Sequence, residues 1–239
     1  MASKLNGRVL IVGAGGLGVP AAWALARAGV RGLTLVDPEP VELSNLARQV
    51  IYRMADVGRL KVEAAAERLT AEFPGLEIEP HAAELDAANA SRFISAHDFT
   101  IDGTDNPRAK FVINDASIGA MRPFAYGGVI GMTGQAMTVI PGRSACLRCL
   151  FEEPPGEAEI ASCREAGIIG PVAGVIGEVQ AAESIRVLAG AAPRLAGRIL
   201  TYDGGAAARM RIADVAARRG CACGAWRAAG REARPLRDQ

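Results

Sequence analysis

Apolar and polar positions along the chain follow two rhythms. Apolar runs of four to six residues read as strands, and longer stretches with apolar positions three and four apart read as helices. The first run, Arg8-Val9-Leu10-Ile11-Val12, is closed by Gly13 and has the unbroken apolar character of a strand buried on both faces. An alanine-rich helix is expected after Gly18, ending near Ala28 with Gly29 as its stop. Gly32 to Asp37 reads as a second strand, which completes an opening βαβ unit. The pattern then predicts a helix over Arg59 to Ala71, a strand over Leu76 to Pro80, a weaker helix over Asp86 to Ala96 and a strand over Asp98 to Asp102. Asp105 or Asn106 is placed to cap the next helix, with Pro107 in its first turn and an end near Gly119. Pro123 to Gly127 reads as a further strand, and Met132 to Ile140 alternates like an antiparallel addition. Residues 141–170 carry Gly, Pro, Glu and three cysteines and read as a long functional loop. Val172 to Ala189 returns to helical spacing, and Ile199 to Tyr202 and Met210 to Ile212 are expected final strands. The expected fold class is α/β: a doubly wound, Rossmann-like, mostly parallel sheet with an antiparallel C-terminal extension. Residues 1–225 are expected to form one domain, and the tail from Trp226, with four arginines and little apolar content, to fray.

Composition narrows the function classes. The chain has 239 residues, half of them apolar, and a formal net charge of +1. That argues against intrinsic disorder and gives no reason to expect nucleic-acid binding. No apolar stretch approaches the roughly 18–20 residues of a membrane span. Met1 to Arg8 lacks the apolar run of a signal peptide, so a cytoplasmic location is expected. Only two histidines are present, His81 and His97, and neither lies near a glycine loop or a cysteine pair, which disfavours mechanisms built on a histidine base.

The candidate chemistry sits in a few segments. Gly13, Gly15 and Gly18 fit G-x-G-x-x-G, and Gly16 lies within the turn. Such a turn lets backbone N–H groups at a helix start approach phosphate. Asp37, 19 residues beyond Gly18, is placed to bind ribose hydroxyls. The pair indicates a nucleotide without choosing between NAD, FAD and ATP. Arg48 and Lys61 could fork onto or neutralise phosphate oxygens, or could be solvated basic residues. Lys61 is expected near a helix start, where an anionic ligand would offset its unfavourable position. Asp105 faces the crevice where doubly wound sheets bind ligands and could hold Mg²⁺, or could simply cap its helix. Cys146-x-x-Cys149 and Cys221-x-Cys223 offer four thiolates for a closed zinc site that would staple distant segments; a redox dithiol or free thiols are the alternatives. Cys163 is then left over, beside Arg164, either as a nucleophilic thiolate or as a small apolar side chain.

Taken in order, these residues resemble the ThiF/MoeB/HesA family, bacterial relatives of ubiquitin-activating enzymes. The marks are Gly13-Ala14-Gly15-Gly16-Leu17-Gly18, Asp37, Ser44 to Gln49, Lys61, Thr104-Asp105-Asn106, the first cysteine pair, Cys163-Arg-Glu-Ala-Gly and Gly170-Pro171. The Cys163 segment and the run from Gly170 are most similar to ThiF. The resemblance implies an enzyme that binds Mg²⁺ and ATP and a small ubiquitin-fold sulfur carrier ending in Gly-Gly. The carrier's carboxylate attacks the α-phosphate, giving an acyl-adenylate and pyrophosphate. It further implies that Gly16 and its neighbours approach the phosphates and that Asp37 holds the ribose. Asn45, Arg48 and Lys61 would steady phosphate charge, Asp105 would bind Mg²⁺, and Asn106 would belong to the same nucleotide site. Cys163 would link to the carrier in a later sulfur transfer, which would involve a sulfur donor protein. A homodimer is also implied.

Three departures stand beside this resemblance. The second clip is C-x-C where C-x-x-C is usual, Ala47 precedes Arg48 where a polar residue is common, and about a dozen residues precede the glycine loop. An N-terminal helix carrying an arginine to the partner subunit's ATP site is therefore not expected. Two rival readings use part of the same pattern: an NAD(P)-dependent oxidoreductase, and a non-catalytic scaffold that holds nucleotide or carrier. The first leaves Arg48, Lys61, Asp105 and the cysteines without a role.

Overall fold

A computed structural model of the chain describes residues 5–156, 167–205 and 208–224. Cys163 and the expected tail lie outside the described residues. An eight-stranded sheet with order β3-β2-β1-β4-β5-β6-β7-β8 forms the centre. Its strands are β1 (Leu5–Val12), β2 (Val30–Val36), β3 (Glu77–His81), β4 (Phe99–Asp102), β5 (Phe124–Ile130), β6 (Thr133–Val139), β7 (Arg198–Asp203) and β8 (Arg209–Asp214). The first five are parallel, and β6 to β8 add antiparallel. This is the Rossmann-like mixed sheet, with its antiparallel extension, that the hydrophobic pattern predicts.

Helices cover both faces, which explains the unbroken apolar strands. Val9 and Ile11 point into a core shared with α1 (Gly18–Arg27) and α2 (Lys61–Glu72), through Ala21, Leu25, Val62 and Leu69. Leu10 and Val12 point into the opposite core, with Phe93 and Ile94 of α3 (Ala90–Ser95) and Phe111 and Ile113 of α4 (Pro107–Ala120). A four-residue helix, α5 (Leu147–Leu150), lies inside the expected long loop. The long α6 (Gly170–Leu188) packs on α1 and on β4 to β6. Two of its buried polar side chains fasten it. Gln180 Nε2 donates to the Asp102 and Ala125 carbonyls at 2.7 and 3.0 Å, and Glu183 accepts from Thr138 Oγ1 and from the Arg194 and Leu195 amides.

The boundaries differ from expectation where local polar groups intervene. α3 starts at Ala90 rather than Asp86 because Asp86 Oδ1 accepts the Ala88 and Asn89 amides, forming a turn in place of helix. α2 starts at Lys61 rather than Arg59 because Leu60 is extended and pairs with Pro40. β5 runs on to Ile130 because β6 pairs with it throughout.

Candidate nucleotide site and cysteine cluster

The chain proceeds from β1 outward to β2 and β3, then returns to the other side of β1 to form β4. The crevice beyond the carboxyl ends of β1 and β4 is thus the switch point at which open α/β sheets bind ligands. A cavity of about 230 Å³ occupies it. Gly13, Gly15, Gly16, Asp37, Arg48, Lys61, Asp105 and Asn106 all line this cavity, although they come from five separate stretches of sequence.

The glycines divide the work. Gly13 has φ +94°, and a Cβ there would lie 2.6 Å from the Gly103 carbonyl oxygen. A Cβ on Gly18 would lie 1.8 Å from the Gly13 carbonyl oxygen. These two positions let β1, α1 and the end of β4 meet backbone to backbone, while Gly15 and Gly16 form cavity wall. Gly18 itself is a packing residue and does not line the cavity.

Asp37 is buried and oriented by two backbone donors. Oδ2 accepts from the Ala14 amide and Oδ1 from the Glu39 amide, both at 2.8 Å. Burial pushes its carboxyl above the usual range, while these amides and Lys61 pull the other way. Lys61 is the first residue of α2, as its spacing suggests, and its side chain is 5% exposed. Its ammonium meets Glu39 Oε2 at 2.5 Å. A neighbouring carboxylate therefore supplies the anion that a cation at a helix start requires. Arg48 is half-buried, with Nη1 donating to the Ser44 carbonyl at 3.1 Å.

Asn106 caps α4 by accepting the Arg108 amide at 2.9 Å, with Pro107 following it. Asp105 takes no part in that cap and stands exposed at the cavity wall. Asn45 is not brought to the wall. It is buried, and its Oδ1 accepts the Glu42 amide to close a short 3₁₀ turn over Leu43–Asn45.

Sequence reasoning missed several residues that shape the site. Gln49, next to Arg48, is 6% exposed, lines the cavity beside Gly15, and its Oε1 has no hydrogen-bond partner. Asp102 is fully buried at the end of β4, and the ammonium of Lys110 on α4 serves it at 3.2 Å. That ammonium also donates to the Thr104 and Gly127 carbonyls at 2.6 and 2.5 Å. Asp102 in turn accepts the Thr104 hydroxyl and amide, so the pair fixes the loop that presents Asp105. An acid ending a central strand eight positions before a helical lysine was the available signal.

The two cysteine clips converge. The sulfurs of Cys146, Cys149, Cys221 and Cys223 all lie within 4.8 Å of one another. Their closer pairs measure 3.3–4.0 Å. Four thiolates at zinc–sulfur bonds of about 2.3 Å have sulfurs about 3.8 Å apart, so the donor set and spacing fit a tetrahedral metal. The C-x-C clip brings both of its sulfurs into the cluster. Cys146 precedes α5, and Arg148 of that helix pairs with Asp115 of α4 at 2.8 Å, so the cluster sits against the helix that begins at the cavity.

Comparison with known proteins gives a consistent result. The ThiF family model matches residues 3–225. The adenylyltransferase and sulfurtransferase MOCS3 of Anopheles gambiae is 40% identical over 197 residues, which cover 82% of this chain and 44% of that protein. The sulfur carrier protein adenylyltransferase of Thermus thermophilus is 38% identical over 200 residues, covering 82% of this chain and 74% of that protein. The chain thus spans less than half the length of the MOCS3 relative. Escherichia coli MccB, crystallised with ATP, superposes with a TM-score of 0.81 at 21% identity over 92% of this chain and 67% of that one, a likeness of fold. With its glycine turn, Asp37, Arg48, Lys61 and Asp105 gathered at one crevice and a family match over nearly its whole length, the chain belongs to the ThiF family.

Proposed function

We propose that this protein is an ATP-dependent adenylyltransferase that activates the C-terminal carboxylate of a small ubiquitin-fold sulfur carrier ending in Gly-Gly. The observation that carries this reading is the single cavity that collects Asp37, Arg48, Lys61 and Asp105 around the glycine turn. The names of the Thermus and Anopheles relatives support the same reaction.

The chemistry needs little beyond positioning. A carboxylate is ionised at neutral pH, so no base is required to activate it. The barrier lies in bringing this anion to a polyanionic triphosphate, and cationic side chains in a dehydrated crevice lower it. Asp37 takes the ribose hydroxyls, the backbone at Gly15 and Gly16 meets the phosphates, and Arg48 and Lys61 neutralise phosphate charge. Lys61 exchanges Glu39 for phosphate oxygens as the nucleotide enters. Asp105 would hold Mg²⁺, which would screen the triphosphate charge. The buried Gln49 amide supplies a further hydrogen-bonding group to the ligand. The cysteine cluster holds Zn²⁺ in a structural role. Cys163 acts after adenylation, in sulfur transfer from a donor protein. A homodimer in the cytoplasm is the expected setting.

Carrier-stimulated exchange of labelled pyrophosphate into ATP tests the reading. Exchange that requires an intact Gly-Gly terminus is the expected result. A folded, zinc-loaded chain that gives no exchange with any carrier from its own cell would overturn it.

A further inference from the structure

Tyr52 lies between the 3₁₀ turn over Leu43–Asn45 and a second over Met54–Asp56 and is 5% exposed, its ring packed in the core that contains Val41, Ile51 and Val62. Its hydroxyl donates to the Ala14 carbonyl oxygen at 2.7 Å, with the Lys61 carbonyl oxygen 3.2 Å away as a second acceptor. Ala14 is therefore held from both sides, because its amide already donates to Asp37. Burial and the nearby Asp37 and Asp56 carboxylates raise the Tyr52 pKa, so the phenol stays a donor at every physiological pH.

This geometry bears on the next residue. A trans peptide is planar, so the Gly15 N–H points opposite to the Ala14 carbonyl. With that carbonyl drawn toward the buried phenol, the Gly15 N–H is turned away from Tyr52. Gly15 lines the cavity, and a glycine on one side of a peptide unit makes rotation of that unit easy. Something must hold it in one orientation.

We infer that Tyr52 is a positioning residue: its hydroxyl latches the Ala14–Gly15 peptide so that the Gly15 N–H is available to phosphate, and it ties that peptide to the first turn of α2, which carries Lys61. The inference deepens the nucleotide reading above and rests on it.

The Tyr52→Phe variant tests the latch. It keeps the ring in the core and removes only the donor. The NMR order parameter of the Gly15 N–H, the N–H of the latched peptide, should fall while that of Leu10, in the middle of β1, is unchanged. KM for ATP should rise about threefold to tenfold, the size expected from one hydrogen bond, with kcat within about twofold. An unchanged Gly15 order parameter with an unchanged KM overturns the inference. So does an equal fall at Gly15 and Leu10, which marks a general loosening of the fold. A wild-type chain that binds no Mg-ATP by calorimetry overturns the nucleotide reading instead, and the order-parameter comparison, which needs no ligand, still decides the latch.

Discussion

Lys61 and Lys110 are both buried cations close to one cavity, and they have different jobs. Lys61 meets a carboxylate that is 65% exposed, so its partner can swing away. Lys61→Ala should lower pyrophosphate exchange by roughly 10²–10³-fold, as removal of a transition-state donor does, with little change in Tm. Lys110 serves a carboxylate that is completely buried. Burial raises the Asp102 pKa, and the ammonium opposes that rise. Lys110→Met should cost about 3–5 kcal/mol in urea unfolding, because it strands a buried charge, and the double variant Asp102→Asn/Lys110→Met should cost less. His97 provides a pH test. It is buried between the Phe93 carbonyl and the Thr34 hydroxyl, and burial lowers its pKa. Below about pH 6.5 the unfolded chain takes up a proton that the folded chain resists, so stability falls as pH drops and is regained as pH rises. His97→Gln should flatten the Tm profile between about pH 5 and 7. The sequence pointed to Asp37, Arg48, Lys61 and Asp105, and all four line the crevice. It did not show that Asn45 turns inward to its own 3₁₀ turn or that Glu39 reaches Lys61, since both depend on side-chain direction in a loop without periodicity.

At the level of elements, what could be read depended on how much of the outcome was local. β1, α1 and β2 were legible because apolar runs, an alanine-rich stretch and glycine stops each specify their own segment. The cap of α4 was narrowed to two residues, and hydrogen bonding chose Asn106, which leaves Asp105 for the cavity. The pairing of β7 with β6 was not legible, because partners some sixty residues apart leave no mark in either strand's composition. The spacing marked the cysteines as candidate ligands, but it left no sign of their approach to α4 through Arg148 and Asp115. Cys221→Ser should reduce bound zinc from about one ion per chain and lower Tm. If α5 transmits the cluster's position, exchange of amides in the first turn of α4 should quicken in the same variant.

At the level of the whole molecule, the switch between β1 and β4 places the cavity at the centre of the parallel half, and α6 joins that half to the antiparallel one. Gly177 lets α6 lie close on α1, since a Cβ there would lie 2.4 Å from the Leu17 carbonyl oxygen. A ligand bound in the cavity stabilises the whole folded state. Mg-ATP at a hundred times its Kd should add about 2.7 kcal/mol, which corresponds to roughly 5–10 °C in Tm for a chain of this size. NADH should give no comparable shift, and a shift with NADH alone would favour the oxidoreductase.

The meeting of the two cysteine clips has one further effect. With a metal seated among the four sulfurs, the roughly seventy residues from Cys149 to Cys221, including α6, β7 and β8, become a macrocycle. Ring closure of that size removes on the order of 4 kcal/mol of disorder from an unfolded chain by the usual cross-link estimate. A loaded chain that keeps its ion through denaturation would then refold from a closed loop rather than from an open string, which shortens the search by which β7 finds β6.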